Sequence, residues 1–299
     1  MNSISQRPFA GDHEFRIVRT VPELRECVRA WRSEGLSVGL VPTMGALHQG
    51  HLHLVHEARR RTERVITSVF VNPTQFSPTE DLAAYPRTEA TDAELLEKNQ
   101  CSVMFAPTVA DMYALGSVTR ITVGDAEIGG PSQGLEGAFR PQMFAGVALV
   151  VAKLLNQAQA DVAVFGEKDW QQLQVIKRMV FDLDIPTDII SMPTVRDIHG
   201  LALSSRNAYL SEPELEVARH LNRILKKAAA SAASGHGPAA VEAEATASIL
   251  NAGFNSVDYV AIRKSDDLSV FTDGVIAGPA RILAAARIGT TRLIDNMAI

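Results

Sequence analysis

Cysteine is scarce. Cys27 and Cys101 are the only two in 299 residues, far apart and without CxxC spacing, which excludes a disulfide framework and a cysteine zinc site. Both are expected to be reduced and buried. A field of one charge sign is also lacking: 29 Lys and Arg against 34 Asp and Glu give a net charge of −5. The basic residues are scattered, so nothing concentrates nucleic acid by phosphate neutralisation, and no such partner is expected. No uninterrupted apolar run approaches the roughly 20 residues that a membrane-spanning helix needs. The first residues, MNSISQRPFAGDHEF, carry acids and no apolar h-region, so neither a secretory signal nor a transit sequence is expected. The location expected from this is cytoplasmic, with no membrane partner. Self-similarity at periods of about 20 to 50 residues is missing, which sets aside solenoids and propellers. What remains is a folded chain of ordinary composition, 46% hydrophobic and 21% charged, whose length suits two unequal domains.

From Phe15 onward, short β-rich apolar runs alternate with longer helical patterns, as in a parallel sheet built from βαβ units. The apolar runs predict strands over Phe15–Val18, Ser37–Val41, Arg64–Val71, Ser102–Phe105 and Asp161–Phe165. Helices are predicted over Val21–Ser33, Gly50–Arg61, Arg87–Asn99, Met143–Ala158 and Asp169–Leu183. After Ile190 the character changes. Glu212–Ala233 and Ala239–Ala252 read as helices separated by the low-complexity stretch SAASGHGPAA, expected to be a mobile surface connection. Three β-like runs follow, Val257–Arg263, Ala280–Ile288 and Thr291–Asn296, the last two joined by a short Gly-containing turn that suggests a hairpin. The fold class is therefore α/β: a Rossmann-like parallel-sheet domain over 1–190, then a smaller α+β domain over 191–299 with a short antiparallel sheet.

The densest chemical signal is VPTMGALHQGHLHLVHEA, where a strand ends at Val41 and a helix begins near Gly50, with four of the eight histidines between 48 and 56. A glycine turn between a strand and a helix N-terminus aims unpaired N–H groups and the positive dipole end at one point, which suits a triphosphate. His48 and His51, three apart, share a face of the first turn, and Gly50 between them leaves room for a nucleotide. HxGH after a strand is the signature of the nucleotidyl-transferring Rossmann group, in which the imidazoles stabilise developing phosphate charge. His53 and His56 continue the helix and are expected to cap, pair or face solvent. Spacing alone also allows a metal site of His48, His51 and His56, but no Cys or carboxylate cluster accompanies it, and no metal site is assigned.

Three further clusters follow. FVNPTQFSPTEDLAAYPR starts at the carboxyl end of a strand, where open parallel sheets place their crevice, so Asn72 and Gln75 are pocket candidates or loop-packing residues. DVAVFGEKDWQQLQVI presents Lys168 as a phosphate-neutralising cation and Asp169 as either a helix cap or a contact to nucleotide or Mg2+. GLALSSRNAYLSEPE supplies two hydroxyls and a guanidinium, Ser204, Ser205 and Arg206, suited to a polyphosphate; alone it is an ordinary polar loop.

In this order, PTMGALHQGH, FVNPTQF, YPR, FGEKDWQQL and LSSRNAYL resemble the pantothenate synthetases, the pantoate-β-alanine ligases of the nucleotidyltransferase-like Rossmann group. The blocks span Val41 to Leu210. The resemblance implies that pantoate is activated by ATP to pantoyl adenylate with release of pyrophosphate, and that the β-alanine amine then displaces AMP. It implies an ATP loop of Met44, Gly45, Ala46, Leu47, His48, Gln49, Gly50 and His51, with His51 catalytic and His48 assisting. Gln75 and Gln172 match the pantoate-binding glutamines, Gln75 also serving β-alanine. Gly166, Glu167, Lys168, Asp169, Val195, Leu203, Ser204, Ser205 and Arg206 match nucleotide-contacting positions, with Lys168, Ser204 and Arg206 on the phosphates. It further implies Mg2+ carried with ATP, and a homodimer whose C-terminal domain closes over the site. The family usually shows RPGHF and RExDGLA; here the segments read RPQMF and RDIHGLA, so that Gln142, Met143 and His199 depart from the pattern. Rival readings are a cytidylyltransferase, which shares HxGH but not the paired glutamines, and a nucleotide-binding protein without catalysis.

Overall fold

The apolar runs become strands, and the helical patterns between them become the layers that cover them. The computed structural model describes residues 14–77, 82–125, 127–272 and 274–299. The N-terminal stretch 1–13 and positions 78–81 of the FVNPTQFSPTEDLAAYPR block lie outside them. The first unit runs β1 Arg16–Val18, α1 Val21–Ser33, β2 Val38–Thr43, α2 Gln49–Arg61, β3 Arg64–Val69, α3 Glu89–Lys98 and β4 Val103–Phe105. Two short helices follow, α4 Val109–Met112 and α5 Leu135–Phe139, then α6 Met143–Ala158, β5 Val162–Gly166, α7 Trp170–Asp182 and β6 Asp188–Met192. All six strands pair in parallel in the order β1-β4-β3-β2-β5-β6, a Rossmann-like sheet. Neighbouring residues on both faces of the central strands are buried, Leu40 with Val41 and Ala163 with Val164, as helices on both sides require.

Strand order fixes where a ligand can sit. From β2 the chain adds β3 and then β4 on one side, while β5 returns to the other side of β2. The direction reverses between β2 and β5, and the crevice of an open parallel sheet lies beyond the carboxyl ends of its strands at that switch point. Helix α6 seals this end from one side. A Cβ on Gly146 would fall 2.3 Å from the Thr74 carbonyl oxygen, so only glycine lets α6 meet the turn at Pro73–Gln75 backbone to backbone.

β6 is a strand that the periodicity did not single out, and residue 190 lies within it. It is an edge strand with no fully buried residue, so its apolar signal is confined to Ile189, Ile190 and Met192. The single helix expected over Glu212–Ala233 breaks at Arg219 into α8 Glu212–Ala218 and α9 His220–Ala233. SAASGHGPAA is not a long connection: α9 runs through Ala233 and α10 Pro238–Asn251 opens on the proline, leaving 234–237 to join them. Alanine favours helix, and proline is tolerated in the first turn. β7 Ser256–Lys264, β8 Ala280–Ile288 and β9 Thr291–Ala298 form the antiparallel sheet β7-β8-β9. Gly289, at φ +52°, begins the two-residue turn between β8 and β9. Among the described residues no helix is long and apolar enough to cross a membrane.

Candidate active site

The start of α2 is capped by its own histidines. His48 is the N-cap, and its Nδ1 accepts from the Gly50 N–H at 3.1 Å, while the His48 N–H donates to His51 Nδ1 at 3.3 Å. This is the reciprocal arrangement of a capping box, built from imidazoles instead of a hydroxyl and a carboxylate. A ring nitrogen that accepts carries no proton, so both rings are Nε2–H tautomers when neutral. They stack with centroids 4.0 Å apart. Burial, then the Lys168 charge, pushes His48 down to about 4; burial, then His48 and Lys168, pushes His51 down to about 3. Both imidazoles are uncharged near neutrality.

The expected cradle of unpaired amides is not what surrounds them. The Gly45 N–H donates to the Thr43 hydroxyl at 3.2 Å, and the Ala46 and Leu47 N–H groups donate to Asp92 at 2.9 and 2.8 Å. The turn uses its donors to hold itself, because Gly45 and Ala46 both lie at positive φ, +83° and +50°. Gly50 leaves room for a different neighbour than expected: a Cβ there would lie 2.8 Å from His48 Cε1. His53 and His56 keep to the outer face, bonded to the Gln49 carbonyl and to Asn99 Oδ1.

A cleft of about 230 Å³ opens between these rings and the far side of the switch point. Met44, His48, Gly50, His51, Asn72, Gln75, Gly166, Lys168, Asp169, Gln172, Val195, Leu203, Ser204, Ser205 and Arg206 all line it. Gly45, Ala46, Leu47, Gln49 and Glu167 do not; Gln49 is exposed, and the Glu167 carboxylate turns to Arg281 at 3.4 Å. Asn72 lines the cleft with both ends of its amide engaged. Its Oδ1 accepts from Thr74 and from the Tyr113 hydroxyl at 2.8 Å, and its Nδ2 donates to the Gly146 carbonyl and to Gln75 Oε1 at 3.0 Å. Geometrically Asn72 is the brace for Gln75, whose Nε2 in turn meets the Met44 thioether at 3.1 Å. The Gln172 side chain makes no hydrogen bond among the described residues.

Lys168 Nζ lies 3.6 Å from Asp169 Oδ2, and Asp169 occupies the N-cap position of α7 without a side-chain cap bond. Its carboxylate thus faces the cleft instead of the helix. Ser204 caps the 3-10 turn Ser205–Tyr209 by accepting from the Arg206 N–H, and Ser205 donates to the Ala46 carbonyl at 3.2 Å. The Arg206 guanidinium stands 5.9 Å above the Tyr85 ring.

Two cleft residues sit in motif segments that assigned them no role, Tyr85 in YPR and Arg140 in RPQMF. Arg140 donates to the Gln75 carbonyl at 3.3 Å and to the Met143 thioether at 2.7 Å. Met143, one of the departures, is therefore in the wall, whereas His199 is exposed in the turn after Asp197. The C-terminal sheet grips the site from outside. Asn296 Nδ2 donates to the carbonyls of Glu167 and Lys168 at 2.9 and 2.8 Å, and the Arg281 guanidinium lies 3.5 Å over the Trp170 ring. Buried Glu136 receives both Arg292 terminal nitrogens at 2.7 Å and the Tyr259 hydroxyl at 2.8 Å. These contacts join residues more than a hundred positions apart, and a motif scan has no handle on them.

A parallel sheet whose switch point carries two half-buried, neutral imidazoles, opposite a lysine, an arginine and paired serines, defines an α/β protein of the Rossmann class with an anion-receiving cleft. The chain belongs to the pantoate-β-alanine ligase family, whose sequence model matches residues 16–298. It is 57% identical to the pantothenate synthetase of Caulobacter vibrioides over 95% of this chain and 98% of that one. With that of Mesorhizobium japonicum it shares 53% identity over 94% and 96%. The crystal structure of pantothenate synthetase from Thermus thermophilus superposes with a TM-score of 0.84 at 42% identity, covering 94% of this chain and 98% of that one. A pantoate-β-alanine ligase from Francisella tularensis, complexed with beta-gamma ATP and β-alanine, superposes with a TM-score of 0.79 at 33% identity over 95% and 97%.

Proposed function

We propose that this enzyme joins pantoate to β-alanine with ATP by way of pantoyl adenylate. A carboxylate is a poor electrophile, so one pantoate oxygen first attacks the α-phosphorus and pyrophosphate leaves. The β-alanine amine then attacks the acyl carbon, AMP leaves, and the amine gives up a proton. Both steps build negative charge on phosphoryl oxygens, which calls for preorganised donors more than for a base.

The observation that carries the reading is the imidazole pair. With both Nδ1 lone pairs taken by main-chain N–H groups, His51 and His48 have one function left toward a ligand, donation from Nε2–H, and they serve as hydrogen-bond donors to the phosphates. Lys168, Ser204 and Arg206 neutralise and hold the polyphosphate. Met44, Gly50, Gly166, Asp169, Val195, Leu203 and Ser205 pack the nucleotide, with Gly45, Ala46, Leu47, Gln49 and Glu167 supporting the turns that carry them. Gln75, braced by Asn72, and Gln172 hold pantoate, and Gln75 also meets β-alanine. Among the described residues no group of three or more His, Cys, Asp or Glu could hold a metal unaided. Asp169 alone suits Mg2+ that arrives on the triphosphate, since Mg2+ takes one or two carboxylates plus phosphate oxygens; bound there, it would offset phosphate charge. The working form is a cytoplasmic homodimer, with 191–299 acting as the unit that closes over the cleft.

Purified protein given ATP, pantoate and β-alanine is expected to release AMP only when both acids are present, and to exchange pyrophosphate into ATP only with pantoate. AMP released without β-alanine dependence would remove the ligase step. His51→Ala is expected to lose at least about a hundredfold in turnover, as for one missing preorganised donor; turnover near that of the parent would end its assignment.

A further inference from the structure

Asp92, the fourth residue of α3, is a carboxylate that the chemistry above does not use, and it is 1% exposed. Its Oδ2 accepts from the Ala46 N–H at 2.9 Å and from the Thr88 hydroxyl at 3.2 Å, and its Oδ1 accepts from the Leu47 N–H at 2.8 Å. Among the described residues it has no ion pair. A buried acid is retained only where its acceptors are answered, and here two of the three donors are main-chain groups of a turn 45 residues away in sequence. That turn is strained: Ala46 sits at φ +50°, which L side chains rarely adopt. Contact is close enough that a Cβ on Gly45 would fall 3.0 Å from Asp92 Oδ2.

We propose that Asp92 is a positioning residue for the nucleotide step, its carboxylate clamping the left-handed Gly45–Leu47 turn so that His48 arrives at the N-cap of α2 with its N–H aimed at His51. The step from clamp to imidazoles is one residue long. Leu47 is held by Asp92, the next N–H is the His48 donor to His51 Nδ1, and at 3.3 Å that bond has little reach to spare. The same clamp withdraws the Ala46 and Leu47 amides from any phosphate and leaves charge recognition to side chains. It also gives YPR a purpose. Arg87 donates to the Leu82 and Tyr85 carbonyls, which fixes the approach to Thr88, the N-cap of α3, and hence the place of Asp92.

The kinetic arm of the test rests on the ligase reading; the spectroscopic arms do not. Asp92→Asn offers one acceptor and sets an NH2 group against the other amide. The KM for ATP is expected to rise about tenfold while those for pantoate and β-alanine stay within about twofold, because the glutamines are untouched. In NMR titrations the imidazoles, held at about 4 for His48 and about 3 for His51 chiefly by burial, are expected to move up toward 6.5 as the loosened turn lets water reach the rings. The rings are faced by one another and, from the turn after β5, by Lys168 and Asp169, none of which the substitution alters. Loss of a negative charge by itself would move both midpoints down, so an upward shift separates a turn that has opened around the rings from simple charge removal. In the parent protein the Ala46 and Leu47 amides are expected to resist hydrogen exchange although they lie in a turn. Equal rises in all three KM values, unmoved or lowered imidazole midpoints, or rapid exchange of those amides in the parent would each overturn the clamp; the last stands even if the variant fails to fold. A parent that makes no AMP refutes the ligase reading and leaves exchange and titration to decide on Asp92.

Discussion

Acidification tests the burial of His51 directly. The ordinary imidazole pKa is 6.5, and the folded environment holds that of His51 at about 3. Below pH 6.5 the unfolded chain takes up a proton that the folded chain refuses, so stability falls as pH falls, and it goes on falling until the folded group titrates near 3. At pH 5 the unfolded group lies 1.5 units above the ambient pH (6.5 − 5), which at about 1.4 kcal/mol per unit is a loss of about 2 kcal/mol relative to neutral pH. His48 acts in the same direction, more weakly for being partly open to solvent. Urea unfolding at pH 7, 6 and 5, on the parent and on His51→Gln, isolates the effect: glutamine keeps an acceptor for the His48 N–H and does not titrate. Carboxylates contribute equally to both proteins and cancel. The parent is expected to lose about 2 kcal/mol more than the variant between pH 7 and 5. Identical pH dependence in the two would refute the buried, neutral assignment, as would an imidazole midpoint near 6.5.

Gly50→Ala sets two terms against each other. Alanine favours the helix by about 1 kcal/mol over glycine, while its Cβ pushes the His48 ring off the N–H it caps, a loss of similar size. Stability is expected to change little and turnover to fall at least about tenfold; unchanged turnover would show that the ring orientation does not matter. Arg292→Met leaves buried Glu136 with Arg140 at 3.7 Å as its remaining cation, takes from Asp258 its partner at 2.6 Å, and is expected to cost about 3 to 5 kcal/mol. In the double variant Glu136→Leu, Arg292→Met the share due to Glu136 is expected to return while the share due to Asp258 stays lost, which thermal unfolding of the two single variants and the pair would check.

How much was legible depended on the range of each interaction. Met143–Ala158 and Val21–Ser33 matched their helices to the residue because apolar spacing and caps are written locally: Thr20 and Glu23 form a complete capping box within four residues. β6 escaped because an edge strand is only half covered, so its residues need not be apolar. In the site, HxGH marked the two imidazoles, but the unpaired amides inferred around them were already committed to Thr43 and to Asp92 on another helix. Asn72 was marked as a pocket residue by its place after a strand, yet its role as a brace depends on Tyr113 and Gly146, 41 and 74 residues away.

By itself the sequence determined the class of fold, the strand-turn-helix segments at the carboxyl end of the sheet, and the polar groups they deliver, because periodicity, turn chemistry and motif spacing act over a few residues. The tertiary structure alone decided the protonation of His48 and His51, the use of the turn's amides, and the grip of Asn296, Arg281 and Arg292 on the cleft. Burial and hydrogen-bond partnership are properties of neighbours in space, and these neighbours come together only when β5 returns beside β2 and the C-terminal sheet docks against the turn that follows it.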